Sequence, residues 1–192
     1  MPEFIAILLA GILTDNYVLS KTIGICPFLG VSKKLQQAFG MSMAVIFVIL
    51  CATAATWPIY TYLLEAFDLT YLRTVVFILV IAALVQFVEI VLKKFIPPLY
   101  KALGVYLPLI TTNCVVLGVA EENIKQKLTF ADSMLTSLGV GLGFMVAMLV
   151  FAGVRSRIEN SPAPKPFKGI PITLVAAAIV ALAFTAFKSL KF

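Results

Sequence analysis

Long apolar stretches with few charged residues, separated by short charged segments, dominate the chain. Six of them approach the ~20 residues that a helix needs to cross about 30 Å of hydrocarbon. These stretches are residues 4–25, 35–64, 74–92, 102–120, 133–154 and 169–187. The clearest is 35–64, which contains no charged residue. The pattern predicts an all-α integral membrane protein, with six transmembrane helices in a single membrane domain over residues 1–192.

Composition agrees with this class. The chain is 61% hydrophobic and 12% charged, with a mean hydropathy of +1.06, well outside the range of soluble domains. The net charge of +6 does not indicate nucleic-acid binding, because the basic residues lie between apolar runs without a long cluster. There is no histidine, so catalytic triads and metal sites that depend on histidine are excluded. No phosphate-binding or dinucleotide-binding motif is present, and no catalytic residue is predicted.

A short motif occurs twice, with the pattern Cys-x-x-Leu-Gly-Val-small. The first copy begins at Cys26 and the second at Cys114, an offset of 114 − 26 = 88 residues. The offset predicts two repeats, residues 1–96 and 97–192, each with three spans. Because three is odd, the second repeat must enter the membrane from the opposite face. The sequence therefore predicts inverted-topology repeats about a pseudo-two-fold axis in the membrane plane.

Spans one and four contain residues that disfavour a continuous helix. These are Asp15-Asn16 and Cys26-Pro27 in span one, and Pro108 and Gly118 in span four. A straight helix from Phe4 would carry Cys26 about 33 Å, to the far interface. Breaks near the midplane would instead allow Cys26 and Cys114 to meet close to the pseudo-two-fold axis. Broken helices need protein around their freed backbone groups, so spans one and four are expected to be buried at an interface.

Orientation follows from the loops, because positive charge accumulates on the cytoplasmic side. Ten basic residues fall on one side of the predicted spans and five on the other. The ten are Lys21, Lys33, Lys34, Lys93, Lys94, Lys101, Arg155, Arg157, Lys165 and Lys168; the five are Arg73, Lys125, Lys127, Lys188 and Lys191. The richer side is predicted to be cytoplasmic, which places both termini on the outer side.

Cysteine offers the best candidates for chemistry. A membrane cysteine is most often a small packing residue, and Cys51 keeps that interpretation. Cys26 and Cys114 differ because they occupy the same repeat position beside helix-disfavouring residues. Thiolates favour iron–sulfur clusters, Zn or Cu(I), and two are half of the four-cysteine set of a [2Fe–2S] cluster. A related second chain would supply the other two. A disulfide between Cys26 and Cys114 is the alternative.

Two acids and a glycine stripe complete the candidate features. Glu89 lies in span three with Lys93 one turn later, so it forms either an ion pair or part of a cation path. Asp15 beside Asn16 is either an outer-side ion ligand or part of the helix break. Gly139, Gly141 and Gly143 are predicted to permit close helix packing.

Three segments resemble the A-type subunits of the Rnf complex, and the similarity extends over essentially the whole chain. They are Gly24-Ile25-Cys26-Pro27-Phe28-Leu29-Gly30-Val31-Ser32-Lys33-Lys34, Pro97-Pro98-Leu99-Tyr100 and Leu107-Pro108-Leu109-Ile110-Thr111-Thr112-Asn113-Cys114. The related E-type subunits of the Na⁺-pumping NADH:quinone reductase tend to have Thr after the first cysteine and Val-Asn-Cys at the second. Cys26-Pro27 and Thr112-Asn113-Cys114 therefore favour the Rnf side of the family.

The resemblance implies a subunit of a bacterial inner-membrane translocase that oxidises reduced ferredoxin, reduces NAD and pumps Na⁺ or H⁺. It also implies a homologous inverted partner of the Rnf E type, further subunits of the B, C, D and G types, and a [2Fe–2S] cluster shared with the homologous partner. Cys26 and Cys114 would be this chain's two ligands. The cluster would carry electrons between cytoplasmic iron–sulfur subunits and flavins on the outer side. The alternatives are a subunit of the Na⁺-pumping reductase, or a non-redox inverted-repeat carrier or scaffold.

Overall fold

The structure, a computed structural model, describes residues 11–12, 16–32, 35–67, 70–95, 109–110, 113–158, 164 and 168–188. This part of the chain contains α-helices and no strand. The helices are α1 (Ile25–Val31), α2 (Leu35–Ile59), α3 (Arg73–Phe95), α4 (Cys114–Lys125), α5 (Phe130–Ile158) and α6 (Ile170–Lys188). A π-helical turn, Tyr60–Leu64, continues α2, and a 3₁₀ turn, Thr70–Leu72, precedes α3.

Within the described ranges, three helical segments are long and apolar enough to cross a membrane: Leu35–Leu64, Thr70–Val91 and Phe130–Ile158. A shorter apolar helix covers Ile170–Thr185. These segments agree with the stretches predicted at 35–64, 74–92, 133–154 and 169–187. The regular structure of the described residues is therefore helical, and its long apolar helices fit a membrane protein. Parts of spans one and four, Pro108 among them, lie outside the described residues, so the six-span inverted repeat stays a prediction.

The chain divides into two compact units, Met1–Met43 with Gly139–Phe192, and Ala44–Leu138. These units differ from the predicted repeats, 1–96 and 97–192, whose boundaries stay a prediction. The interruption predicted in span one is present in the first unit, where residues 16–24 are not helical. Asn16 is buried there, and its side-chain oxygen accepts hydrogen bonds from the backbone N–H groups of Val18 and Leu19. Its amide nitrogen donates to the carbonyl oxygens of Ile12 and Gly143.

Glycine allows the backbone of α5 to contact the backbone of the segment before Asn16. A Cβ built on Gly143 would lie 2.5 Å from the carbonyl oxygen of Gly11, and one built on Gly11 would lie 3.0 Å from the carbonyl carbon of Gly139. Gly139 and Gly143 are four residues apart, the spacing that brings small residues onto one helix face. The predicted role of the stripe in close packing is thereby confirmed for these two glycines.

The second unit has a buried polar contact and an aromatic cluster. Thr53 and Ser137 share a 2.7 Å hydrogen bond between their hydroxyl groups, which satisfies two hydroxyls in an apolar interior. Phe77 of α3 packs with Ala120 and Ile124 of α4, and the ring of Tyr60 lies edge-on to it at 6.4 Å. These contacts join the second, third and fourth helices within this unit.

The prediction that Gly118 interrupts span four is wrong, whereas the interruption predicted in span one is present directly before the helix that contains Cys26 and Pro27. Gly118 lies inside α4, which continues to Lys125, because glycine lowers helix propensity by only about 1 kcal/mol and the buried face of α4 offsets that. Pro27 lies in the first turn of α1. Proline is tolerated there because the first N–H groups of a helix have no intrahelical acceptor. The break in span one therefore precedes Cys26.

Candidate thiolate sites at two helix starts

Cys26 is the second residue of α1, and its side chain is exposed. The residue before the helix, Gly24, has φ 91° and ψ 25°, a left-handed conformation that glycine adopts without a Cβ clash. Helix α1 begins at Ile25, directly after this glycine. Pro27 and Phe28 are buried, so they anchor the first turn on the side away from the thiol.

Cys114 is the first residue of α4, and its side chain is also exposed. Asn113 has extended backbone geometry and caps the helix, since its side-chain oxygen accepts a hydrogen bond from the Val115 N–H at 3.1 Å. Asparagine is among the preferred residues at this position because it satisfies an N–H group that lacks an intrahelical partner. Val115 and Val116 are buried. The cap and the two valines therefore fix where the helix starts and which way the thiol faces.

The two motifs share one burial pattern, although they lie in different units. Counting from each cysteine, the pattern is exposed, buried, buried, intermediate, glycine, buried and buried in both copies. Only the glycine differs, being exposed in the first copy and intermediate in the second. The repeated sequence thus has a repeated local structure, with an exposed thiol in the first turn of a helix whose next two residues are buried.

This local structure suits a metal-bound thiolate. The N–H groups of a first helical turn lack intrahelical acceptors and attract negative charge, and hydrogen bonds to sulfur help to set the properties of iron–sulfur clusters. Cys51 differs, since it is half-buried in the middle of α2. None of the three cysteines, all of which the structure describes, is in a disulfide.

The described residues contain no group of three or more cysteine, aspartate or glutamate side chains that could hold a metal ion. Each exposed thiol is of the ligand type that holds iron–sulfur clusters. The described part of the chain therefore does not form a complete four-ligand site by itself.

The acidic candidates have different outcomes. Glu89 is half-buried in α3, and Lys93 follows one turn later with an exposed side chain. Its role in an ion pair or a cation path stays a prediction. Asp15 lies outside the described residues.

Sequence reasoning missed Arg155 as a site residue. Arg155 is buried in α5 and hydrogen-bonded to α1. Its only sequence signal was a charge near the end of a long apolar run.

Comparison with known proteins decides the family. A model of the family described as "Rnf-Nqr subunit, membrane protein" matches residues 4–191. The chain belongs to the Rnf-Nqr family of membrane subunits. The sequence resemblance to this family is thereby confirmed over nearly the full length.

The relatives of this Rnf-Nqr protein carry similar names. It is 50% identical over 187 residues to the A subunit of the Na(+)-translocating ferredoxin:NAD(+) oxidoreductase complex of Acetobacterium woodii, with 97% of each chain covered. It is 51% identical over 190 residues to the A subunit of the ion-translocating oxidoreductase complex of Azoarcus sp. strain BH72, with 99% of this chain and 98% of the relative covered. The corresponding protein of Syntrophotalea carbinolica is 47% identical over 190 residues.

Proposed function

We propose that this Rnf-Nqr protein is a membrane component of a complex that oxidises reduced ferredoxin, reduces NAD and translocates Na⁺ or H⁺. The names of relatives that match 97% or more of the chain support this assignment. So do the long apolar helices, which suit a protein embedded in the bilayer. The enzyme class is a translocase, and the redox substrates bind to other subunits of the complex.

Within that complex, Cys26 and Cys114 each supply one thiolate to a [2Fe–2S] cluster that a homologous inverted subunit completes with two more. The observation that carries this assignment is the shared local structure of the two cysteines. Each is exposed in the first turn of a helix, and the same burial pattern follows it. When bound, the cluster supplies one-electron transfer. The chain's own part is to hold the two thiols at fixed helix starts, with buried residues directly behind them.

Substitution of each cysteine in the purified complex tests the assignment. We expect Cys26→Ser and Cys114→Ser to lose the iron, the acid-labile sulfide and the EPR signal of this one cluster, while the clusters of other subunits remain. Cys51→Ser is the matched control, because Cys51 lies in the middle of α2, and it should retain all three. Full iron content and electron transfer in both the Cys26 and the Cys114 variants would overturn the redox assignment. That result would favour the non-redox carrier or scaffold.

The location that goes with this function is the bacterial cytoplasmic membrane, with both termini on the outer side. The excess of Lys and Arg in alternate loops supports this orientation. Reporter domains fused to each terminus test it, since alkaline phosphatase is active only outside the cytoplasm. High phosphatase activity at both termini is expected, and activity at neither would contradict the orientation.

A further inference from the structure

Helix α1, which carries Cys26, is held by two contacts from one face of α5. The ring of Phe28 stacks on that of Phe151, with centroids 4.2 Å apart and planes 22° from parallel. One turn later on α5, an Nη1 nitrogen of Arg155 donates to the carbonyl oxygen of Leu29 at 2.5 Å and to the hydroxyl of Ser32 at 2.8 Å. These contacts all lie within the first compact unit.

The arginine contact lies at the carboxyl-terminal end of α1. The last carbonyl groups of a helix have no intrahelical N–H partner and carry partial negative charge. Leu29 is two residues before the end of α1, and Ser32 is its C-cap residue. Arg155 therefore acts as a C-terminal cap that a different helix donates, and its charge complements the helix end.

A seven-residue helix depends on such contacts. Isolated helices shorter than about 12–15 residues are marginal even in favourable sequences, and α1 has only seven. Leu29 follows Cys26 by three residues, or about 4.5 Å along the helix axis. A displacement at the capped end of α1 is consequently transmitted to the thiol, because no flexible segment separates the two.

The burial of Arg155 indicates more than packing. Its exposed fraction is 8%, and a charged side chain inside a membrane protein is costly unless it is paired or hydrogen-bonded. Arg157, two residues later, is exposed. Of these two neighbouring arginines, Arg155 contacts α1, the helix that carries Cys26, and Arg157 is exposed.

We propose that Arg155 is a positioning residue for the Cys26 thiolate, which it fixes by capping α1 and which it influences as a buried positive charge. The inference rests on the proposed function, because it needs Cys26 to ligate the cluster. A positive charge near a cluster favours the reduced state, which carries one more electron. Loss of that charge should therefore lower the midpoint potential, and loss of the cap should broaden or shift the EPR signal.

The test compares four variants of the complete complex by iron content, EPR and redox titration. Arg155→Gln should lower the midpoint potential and change the EPR signal. Arg155→Lys keeps the charge and should restore the wild-type potential. Arg157→Gln removes an exposed charge from the same helix and should change neither reading. Ser32→Ala removes one of the two acceptors and should alter the EPR signal less than Arg155→Gln does.

The outcomes separate this inference from the proposed function. A wild-type complex without a Cys26-dependent cluster signal would overturn both. If the wild type has that signal, and Arg155→Gln keeps its iron, spectrum and potential, the positioning role alone is overturned. If Arg155→Gln fails to assemble, Ser32→Ala tests the positioning role of Arg155 instead. An unchanged EPR spectrum of Ser32→Ala would overturn that role, and a shifted spectrum would support it.

Discussion

Replacement of Gly143 by alanine tests whether close backbone packing holds the first unit together. The new Cβ would lie 2.5 Å from the carbonyl oxygen of Gly11 and 3.3 Å from the amide nitrogen of Asn16. The nearer atom belongs to the backbone, so no side chain can rotate away. The backbone before Asn16 would have to move by about 0.8 Å to reach even a short C···O contact of about 3.3 Å. Gly153, in the same helix, has nothing within 4 Å of the position that a Cβ would occupy.

Two losses and one gain set the change in the free energy of unfolding. Forcing a methyl group into a packed interface costs about 1–3 kcal/mol. The same movement breaks the 2.9 Å hydrogen bond from the Asn16 amide to the Gly143 carbonyl, and an unsatisfied buried group costs about 1–3 kcal/mol. Against this, alanine stabilises a helix interior by about 0.5–1 kcal/mol relative to glycine. The expected net loss is about 1–5 kcal/mol.

Thermal unfolding of the full chain in detergent micelles measures this change. Circular dichroism and size-exclusion chromatography of heated samples report the transition for Gly143→Ala, Gly153→Ala and the wild type. The control variant carries the same helix-propensity gain without the steric conflict, so its melting temperature should equal or exceed that of the wild type. For a chain of this size, 1 kcal/mol corresponds to about 2–4 °C. Equal melting temperatures for the two variants would refute the packing argument.

Three further changes test other parts of the structure. Trp57→Phe removes the hydrogen bond from the indole N–H to the Leu128 carbonyl, 3.1 Å long, and should lower the unfolding free energy by about 1 kcal/mol in the same melting assay. Asn113→Ala removes the cap of α4 and should cost about 1 kcal/mol, with Asn113→Asp restoring most of it. Glu89→Gln should slow ion transport in vesicles while iron content stays normal, if Glu89 lines the cation path. Glu65→Gln, at an exposed position, is its control, and equal transport by both variants would leave Glu89 with a local role.

The apolar pattern predicted the long helices well because a segment in lipid must be both apolar and regularly hydrogen-bonded. Every backbone polar group of a spanning segment must be satisfied within the segment, so an uncharged run such as 35–64 can adopt few other structures. Its helix and the π-helical turn that continues it cover the same residues, Leu35–Leu64. The repeated motif around Cys26 and Cys114 was also visible in the sequence, and it carries the same burial pattern in both copies.

Local rules were less reliable at single residues. Pro27 and Gly118 are both poor helix formers, yet both lie within helices. Whether each residue interrupts its helix depended on its position, since Pro27 is in a first turn and Gly118 is in a helix with a buried face. Intrinsic propensity is a weak prior that tertiary packing overrides.

The sequence by itself determined the membrane-protein class, the long apolar helices and the pair of equivalent cysteines. Burial in lipid requires long apolar runs, and repetition places the same motif twice at a fixed offset, so both can be read from the sequence. Only the tertiary structure decided that Asn16 bonds to Gly143 and that Arg155 caps the helix of Cys26. These partners lie 127 and 126 residues apart. Each such contact depends on how helices that are distant in the sequence pack together, and a local sequence pattern does not specify that packing.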